Sequence, residues 1–279
     1  MRQISASRIT DAVKRLCIDA NCHLSSDMQA CIENFRDKEP WPQAREILDR
    51  IIENYRIAHE TNQPICQDTG LACVFLKIGQ DVHVEGDITE AVNEGVRQGY
   101  QEGYLRKSAV RDPLDRVNTG DNTPAILYFE PVTGDRIEIT VAPKGFGSEN
   151  MSAIKMLRPS DGVEGVIDFV VQTVASAGPN PCPPIVVGVG IGGTFDKAAY
   201  LAKKALLRPV DCPNPAPYYA QLEKTLLEKI NALGIGPQGF GGKTTALAVN
   251  IEQFPTHIAG LPVAVNINCH VTRHKPEVI

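Results

Sequence analysis

One short stretch, from Asn62 to Gly70, constrains the fold of this chain more than any other. A helical pattern ends just before it, and the apolar run from Leu71 to Leu76 begins just after it. Pro64 disfavours helical backbone at the residue before it, and Gly70 permits a tight turn. The stretch is therefore predicted to be a short, stiff connection between a helix and a strand.

Cys66 and Asp68 lie on this connection. Rigid loops on a packed scaffold are common places for chemistry. A soft metal ligand and a carboxylate two residues apart suit a metal or cluster site with an acid/base group beside it. A buried cysteine and a turn-forming aspartate would give the same pattern, and this stretch alone favours that structural interpretation.

The composition excludes several classes of function. Hydrophobic residues at 43% and charged residues at 22% are typical of a soluble globular protein. A net charge of -5 gives no electrostatic argument for a nucleic-acid partner. The first residues lack an apolar signal core, and no stretch is long enough to span a membrane. We therefore expect a cytoplasmic protein, in which eight cysteines without a CxxC pair argue against a disulfide framework.

Hydrophobic periodicity predicts a mixed α/β fold. Apolar residues recur at helical spacing through about residues 1–60, most clearly from Ala44 to Ala58. A strand from Val74 to Ile78 and a helix capped by Asp87 follow. After a polar, irregular segment at 103–123, we predict a β-hairpin that joins Ala125–Phe129 to Ile137–Val141.

The second half of the chain alternates predicted helices and strands. We therefore expect a single domain over residues 1–279, with a helical N-terminal third followed by mixed β-sheet elements and flanking helices. The later predicted elements are a helix over 163–174, a strand over 185–191, helices over 196–207 and 218–233, and strands over 247–251 and 263–267.

Two glycine patterns suggest a nucleotide site. The run from Gly188 to Gly193 fits GxGxxG between a strand and a helix, as a dinucleotide site would require. No strand ending in an acidic residue follows about twenty residues later, so a nucleotide-binding module is only an alternative. A second run, Gly242-Lys243-Thr244, resembles the end of a phosphate-binding loop, but Pro237 replaces its first glycine and a helix precedes it.

The cysteines divide into two groups. Cys66, Cys182 and Cys269 each follow or precede a regular element, whereas the other five lie in predicted helices, in a strand or in an ordinary loop. Three widely spaced thiolates can hold an iron–sulfur cluster and leave one iron open. A structural zinc with His270 or His257 as fourth ligand is the alternative, although such ligands usually come in close pairs.

With these residues assembled, the chain resembles the alpha subunit, or N-terminal region, of iron–sulfur-dependent class I fumarases and L-tartrate dehydratases. The resemblance runs through nearly the whole chain, and its blocks occur in the order of that family. These blocks are Cys66–Gly70, Asn118–Asn122, Gly147–Ser152, Pro181–Pro184 with Gly188–Gly193, and Cys269–His274.

The resemblance implies that Cys66, Cys182 and Cys269 ligate a 4Fe–4S cluster whose fourth iron binds the substrate. It implies that Gln67 binds substrate, and that Asp68 acts in acid/base catalysis.

Three further residues take roles by the same resemblance. Arg106 would pair with a substrate carboxylate, Gly147 would offer a backbone contact, and His257 would reach the active site as a catalytic residue from a neighbouring subunit. Phe146 departs from the family pattern, because a glycine is expected there.

The resemblance also implies partners and a substrate class. We expect hydration of fumarate to L-malate, with dehydration of L-tartrate to oxaloacetate as the alternative. The substrate would be a small dicarboxylate, and a beta subunit would carry the remaining substrate groups. An alpha–alpha dimer within a heterotetramer is the expected assembly.

Overall fold

The chain forms two large hydrophobic cores, and each belongs to a separate unit. The structure is a computed structural model and describes residues 1–279. Unit 1 comprises Met1–Ser25, Asn54–Gly145 and Arg273–Ile279, and unit 2 comprises Ser26–Glu53 and Phe146–Thr272. That the two units act together as a single domain stays a prediction.

Ten strands and eight helices form the two units. The strands are β1 (Arg2–Ser5), β2 (Leu71–Gly79), β3 (Val82–Glu85), β4 (Ile126–Val132), β5 (Ile137–Lys144), β6 (Ala153–Leu157), β7 (Ile185–Gly192), β8 (Ala246–Phe254), β9 (Leu261–Asn268) and β10 (Lys275–Val278). The helices are α1 (Ala6–Cys22), α2 (Ser26–Lys38), α3 (Pro42–Thr61), α4 (Ile88–Glu102), α5 (Phe146–Glu149), α6 (Gly162–Ala177), α7 (Phe195–Ala205) and α8 (Pro217–Asn231).

Unit 1 is built on a four-stranded sheet in the order β10-β5-β2-β4. β2 is buried without a break from Ala72 to Leu76, and alternate residues of β5, among them Ile139, are buried against α1 and α4. This period of two is the pattern of a sheet with one face on a core. A separate two-stranded parallel sheet pairs β1 with β3.

The predicted β-hairpin in unit 1 is wrong, although both of its strands exist. β4 and β5 do not pair with each other, because β2 lies between them and pairs with both. β2 is parallel to β4 and antiparallel to β5. The turn at 131–136 therefore crosses the end of β2, where Gln80 N–H donates to Val132 O and Asp81 N–H donates to Gly134 O.

Unit 2 is a three-layer arrangement around a sheet in the order β6-β9-β7-β8. Helix α7 packs against β7, β8 and β9, while α6 and α8 pack on the core that includes Leu157, Val187 and Val265. All eight residues of β7 are buried, which is typical of a central strand covered on both faces.

The predicted mixed α/β class is confirmed, and α1, α2 and α3 fill most of the first sixty residues. Gly178 ends α6 with a φ of 54°, as predicted for a glycine after a helix. None of the helices is both long enough and apolar enough to cross a membrane.

Candidate functional site

The loop from Cys66 to Gly70 is held in unit 1 by buried side chains from distant segments. The Tyr100 hydroxyl, on α4, donates to the carbonyl oxygens of Thr69 at 2.8 Å and Gly70 at 3.0 Å. Asn122 Nδ2 donates to Gly70 O at 3.1 Å. Burial raises the pKa of Tyr100 well above its usual value, so the phenol stays protonated and remains a donor.

Asp68 is oriented by the same loop. Its Oδ1 accepts from Gly70 N–H at 3.0 Å, which closes a short turn. Arg273, itself buried, donates from Nη2 to the carbonyl oxygen of Asp68. A side chain at Gly145 would place its Cβ 3.1 Å from Asp68 Oδ2, so the glycine leaves room for the carboxylate.

The predicted substrate residues of unit 1 lie beside this loop. Thr69 Oγ1 donates to the carbonyl oxygen of Arg106 at 3.1 Å, which ties the Arg106 backbone to the loop. Arg106 and Gln67 are exposed, and Cys66 and Asp68 are half-buried. The structure therefore brings Cys66, Gln67 and Asp68 next to the segment that carries Arg106.

Cys182 and Cys269 lie at one end of the sheet in unit 2. Cys182 precedes β7 and Cys269 follows β9, and these strands are antiparallel with Val186 opposite Asn268. Because antiparallel neighbours place the start of one strand beside the end of the other, both cysteines lie at the same end of the sheet.

Side chains also connect the two cysteine segments. His270 Nδ1 lies 3.1 Å from the carbonyl oxygen of Cys182. Gln238 Nε2 donates to Pro183 O at 2.8 Å and lies 3.3 Å from the same histidine nitrogen. Cys182 has a φ of 54°, an uncommon conformation for a residue other than glycine, asparagine or aspartate. The cysteine is therefore held on a tight turn, which Cys182 N–H closes by donating to Pro179 O at 3.0 Å.

Gly147 lies near the Cys182 turn, as a substrate contact there would require. It is exposed in the single turn of α5, and a Cβ on it would lie 3.7 Å from Asn180 O. Phe146, the departure from the family pattern, is 45% exposed.

His257 lies at the opposite end of the unit 2 sheet. It is exposed in the connection from β8 to β9, which reaches the last residues of β7 through Gly193 N–H and Pro255 O at 3.2 Å. The eight residues of β7 span roughly 26 Å at the usual rise per residue. Within unit 2, His257 is therefore not brought to Cys182 and Cys269, either as a catalytic group or as a zinc ligand.

The glycines of the run 188–193 have a packing role. A Cβ at Gly188 would lie 2.1 Å from Ala202 O, and one at Gly190 would lie 2.1 Å from Ala198 O. Both glycines lie inside β7, where they let the backbone of α7 approach closely. This close approach explains the pattern without a nucleotide.

The second glycine run is filled by a carboxylate of unit 2 itself. Glu39 is buried, and its Oε2 accepts from Lys243 N–H at 3.0 Å, from Thr244 N–H at 2.9 Å and from Thr244 Oγ1 at 2.6 Å. These donors would face the phosphate in a phosphate-binding loop. The structure agrees with the exclusion of such a loop here.

Three of the remaining cysteines are poor ligands by their protonation. Burial raises the pKa of the Cys17 thiol to about 12 and that of Cys31 to about 11, and burial also raises the pKa of Cys22. The thiolate is the form that binds metals. None of the eight cysteines forms a disulfide, and neither unit holds three His, Cys, Asp or Glu side chains that converge on a metal position.

Comparison with known proteins places the chain in a family. Residues 10–277 match the family described as Fumarate hydratase (Fumerase). The chain belongs to this family.

Relatives of the fumarate hydratase family agree over nearly the whole length. A protein of Methanocaldococcus jannaschii, provisionally named L(+)-tartrate dehydratase subunit alpha, is 48% identical over 273 residues that cover 95% of both chains. The L(+)-tartrate dehydratase subunit alpha of Escherichia coli strain K12 is 33% identical over 276 residues, which cover 98% of this chain and 91% of that protein. Both names describe enzymes that remove water, so the family supports a hydro-lyase.

Thiolates are the usual protein ligands of iron–sulfur clusters, and three cysteines of this Fumerase-family chain share a common setting. Cys66, Cys182 and Cys269 lie outside the helices and strands and are at least partly exposed. Cysteines that are accessible and held on short loops can bind iron as thiolates. Cys212 shares this exposure, whereas Cys17, Cys22 and Cys73 are buried.

Sequence reasoning missed the residues that hold the Cys66 loop. Tyr100 lies on the apolar face of α4, where its aromatic ring predicts only a core position. Asn122 and Arg273 fall inside the blocks that carry the resemblance, but no spacing connects either of them with Cys66 or Asp68.

Proposed function

We propose that this chain is the alpha subunit of an iron–sulfur hydro-lyase acting on a small dicarboxylate. The observation that carries the proposal is the loop of Cys66, Gln67 and Asp68, with the Arg106 segment tied to it, in a member of the fumarate hydratase family. Cys66, Cys182 and Cys269, which are at least partly exposed and match the family blocks, support the cluster, and a carboxylate beside a ligand cysteine supports acid/base chemistry.

Each residue has a stated task in this proposal. Cys66, Cys182 and Cys269 would hold a 4Fe–4S cluster, which when bound supplies a Lewis acid for the substrate carboxylate and hydroxyl. Asp68 takes or returns a proton through its carboxylate, which the turn at Gly70 orients. Arg106 binds the other carboxylate of the substrate, because its planar fork matches two carboxylate oxygens.

Two roles complete the site. Gln67 is exposed beside Cys66 and offers an amide to the substrate. Gly147 offers its backbone where a side chain would restrict access to the Cys182 turn. Both positions are supported by exposure and by their neighbouring cysteines.

Two substrates are candidates, each favoured by its own observation. The family description favours fumarate, which would be hydrated to L-malate. The names of the relatives favour L-tartrate, which would be dehydrated to oxaloacetate, and this support is at least as strong. Turnover of fumarate, malate and L-tartrate by the chain with its beta subunit separates them, and loss of turnover on all three would reject the proposed function.

The beta subunit and the dimer are part of the proposal. The relatives are named as alpha subunits, which supports a beta partner that completes the active site. The alpha chain alone should therefore bind the cluster but turn over substrate far more slowly than the complex. The expected compartment is the cytoplasm, whose reducing conditions protect thiols and an open iron.

The position of His257 supports an alpha–alpha dimer. Because His257 lies at the far end of β7 from Cys182 and Cys269, it would serve the site of a second copy. Mixing His257→Asn chains with Cys182→Ser chains tests this, since one site of the mixed dimer would then combine an intact cluster with an intact histidine. Recovered turnover in the mixture supports the arrangement. If both variants are inactive alone and the mixture is inactive as well, the arrangement is contradicted.

A further inference from the structure

The block from Asn118 to Asn122 has no role in the proposed function, yet its last residue is fully buried. Asn122 Oδ1 accepts from Ser108 N–H at 2.7 Å and from Ala109 N–H at 3.0 Å, while Nδ2 donates to Gly70 O at 3.1 Å. A single amide side chain thus uses both of its ends on two different segments of backbone.

These two segments carry the proposed substrate chemistry of unit 1. Gly70 follows Asp68 by two residues, and Ser108 follows Arg106 by two residues. The planar amide sets the distance between the two segments, because its donor and its acceptor are fixed on one carbon and each bonds a different segment. Thr69 reinforces the same connection through its hydrogen bond to the carbonyl oxygen of Arg106 at 3.1 Å.

The neighbourhood of Asn122 is itself anchored. Asp121 Oδ1 accepts from Thr123 N–H at 3.0 Å and from Thr123 Oγ1 at 2.8 Å, and its Oδ2 accepts from Arg97 Nε on α4 at 3.2 Å. Asn122 has a φ of 64°, a conformation that asparagine tolerates better than most residues. The backbone that carries the Asn122 side chain is therefore fixed by contacts other than the three bonds of its amide.

We propose that Asn122 is a positioning residue that fixes the Arg106 segment against the Asp68 loop, so that the guanidinium and the carboxylate address one substrate molecule. The inference rests on the proposed function, since it assigns substrate binding to Arg106. The Asp68 loop keeps its bonds to Tyr100 and Arg273 when Asn122 is removed, whereas Ser108 and Ala109 lose an acceptor. Loss of Asn122 therefore displaces the binding arginine more than the acid/base group.

The test compares the kinetics of complete enzymes that carry Asn122→Gly or Arg106→Lys, singly and together. Glycine removes the amide but accepts the positive φ, so backbone strain does not confuse the result. We expect KM to rise about tenfold or more in Asn122→Gly with kcat within about threefold, as for lost binding that is equal in ground and transition states. In the double variant, Asn122→Gly should add less than about twofold to the KM of Arg106→Lys, since both act through one group.

Asn231 in unit 2 offers a matched control. Its Oδ1 accepts from Thr245 N–H at 2.9 Å and Ala246 N–H at 2.8 Å, and its Nδ2 donates to Ala246 O at 3.1 Å. Asn231→Ala removes the same number of bonds and should lower the melting temperature while leaving KM unchanged. Thr69→Val, which keeps the shape but removes the hydroxyl bond to Arg106, repeats the test if Asn122→Gly does not fold.

Each outcome decides a different point. A normal KM in Asn122→Gly, with a raised KM in Arg106→Lys, overturns the positioning role and leaves the proposed function intact. A normal KM in Arg106→Lys overturns the role of Arg106 and this inference together. Additive effects in the double variant also overturn it, because Asn122 would then act independently of Arg106.

Discussion

The two cysteine-bearing regions are held in place by different kinds of contact. In unit 1, the Cys66 loop depends on side chains of Tyr100, Asn122 and Arg273, which donate to its backbone carbonyl oxygens. In unit 2, Cys182 and Cys269 are placed by the ladder between β7 and β9. A ladder distributes its bonds over many residues, whereas the loop concentrates them in a few side chains.

This difference predicts different sensitivities. A single substitution removes a sizeable share of the side-chain support of the Cys66 loop, and replacing Tyr100 or Arg273 leaves a buried or part-buried carbonyl group without that donor. The sheet edge in unit 2 keeps its backbone bonds when any one side chain changes. We therefore expect the geometry of unit 1 to respond more strongly to point substitutions.

The largest effect should come from the cysteines themselves, where the two regions should behave alike. Replacing Cys66, Cys182 or Cys269 with serine should abolish the cluster and all turnover, because each removes one of three ligands. Iron and sulfide per chain, measured after anaerobic preparation, check this. Cys17→Ala is the control, since this buried thiol should cost some stability but no iron. Equal iron loss in the control would contradict the ligand assignment.

Asp68→Asn should have the next largest effect. It should change turnover through the Cys66 loop of unit 1 and leave the cysteines of unit 2 unaffected. The amide keeps an oxygen that accepts from Gly70 N–H, so the loop should persist. Turnover per intact cluster should fall on the order of a hundredfold or more, as expected for loss of an acid/base group. A lower melting temperature with normal turnover per cluster would show instead that the carboxylate only braces the turn.

Two matched substitutions compare the side chains that hold the Cys66 loop and the Cys182 segment. Tyr100→Phe removes a donor to two buried carbonyl groups, and we expect a loss of about 1–3 kcal/mol in the free energy of unfolding. Gln238→Met should lower the free energy of unfolding by less, because the backbone N–H of residue 238 still donates to Pro183 O at 2.7 Å. Urea denaturation of both variants measures the difference. Equal losses would remove the distinction between the two regions.

The smallest expected effect is on acid stability in unit 1. Burial alone would raise the pKa of Asp121, but hydrogen bonds from Thr123 and Arg97 outweigh it and lower the pKa to about 2. A lowered pKa contributes stability above pH ~4, near the value in the unfolded chain, and that stability is lost as the pH falls toward 2. The contribution should be under about 1 kcal/mol, because water screens this partly exposed carboxylate.

Melting temperatures between pH 5 and pH 3 check the acid effect. The melting temperature of Asp121→Asn should fall less between pH 5 and pH 3 than that of the unchanged chain. Asp196→Asn in unit 2 is the control, since the hydroxyl of Thr194 lowers the pKa of Asp196 but its carboxylate is exposed. A larger effect of the control would place the acid-sensitive contacts in unit 2.

The positions of most helices and strands followed from the sequence alone. Apolar spacing located α3, β7 and α8 to within a few residues, because burial of one face imposes a period that a short window reveals. Proline and glycine marked the Cys66 loop and the end of α6 for equally local reasons. The residues proposed for the site came from blocks of sequence that resemble a family, not from any spacing.

Strand order and the support of the site were decided only by the tertiary structure. The strands β4 and β5 matched a hairpin locally, yet β2 separates them, since pairing depends on which apolar faces share a core. Tyr100, Asn122 and Arg273 contact the Cys66 loop across separations of 30 to 205 residues. The placement of His257 at the far end of β7 likewise depends on sheet topology. Local patterns report burial and turns, whereas contacts between distant segments exist only after the chain has packed.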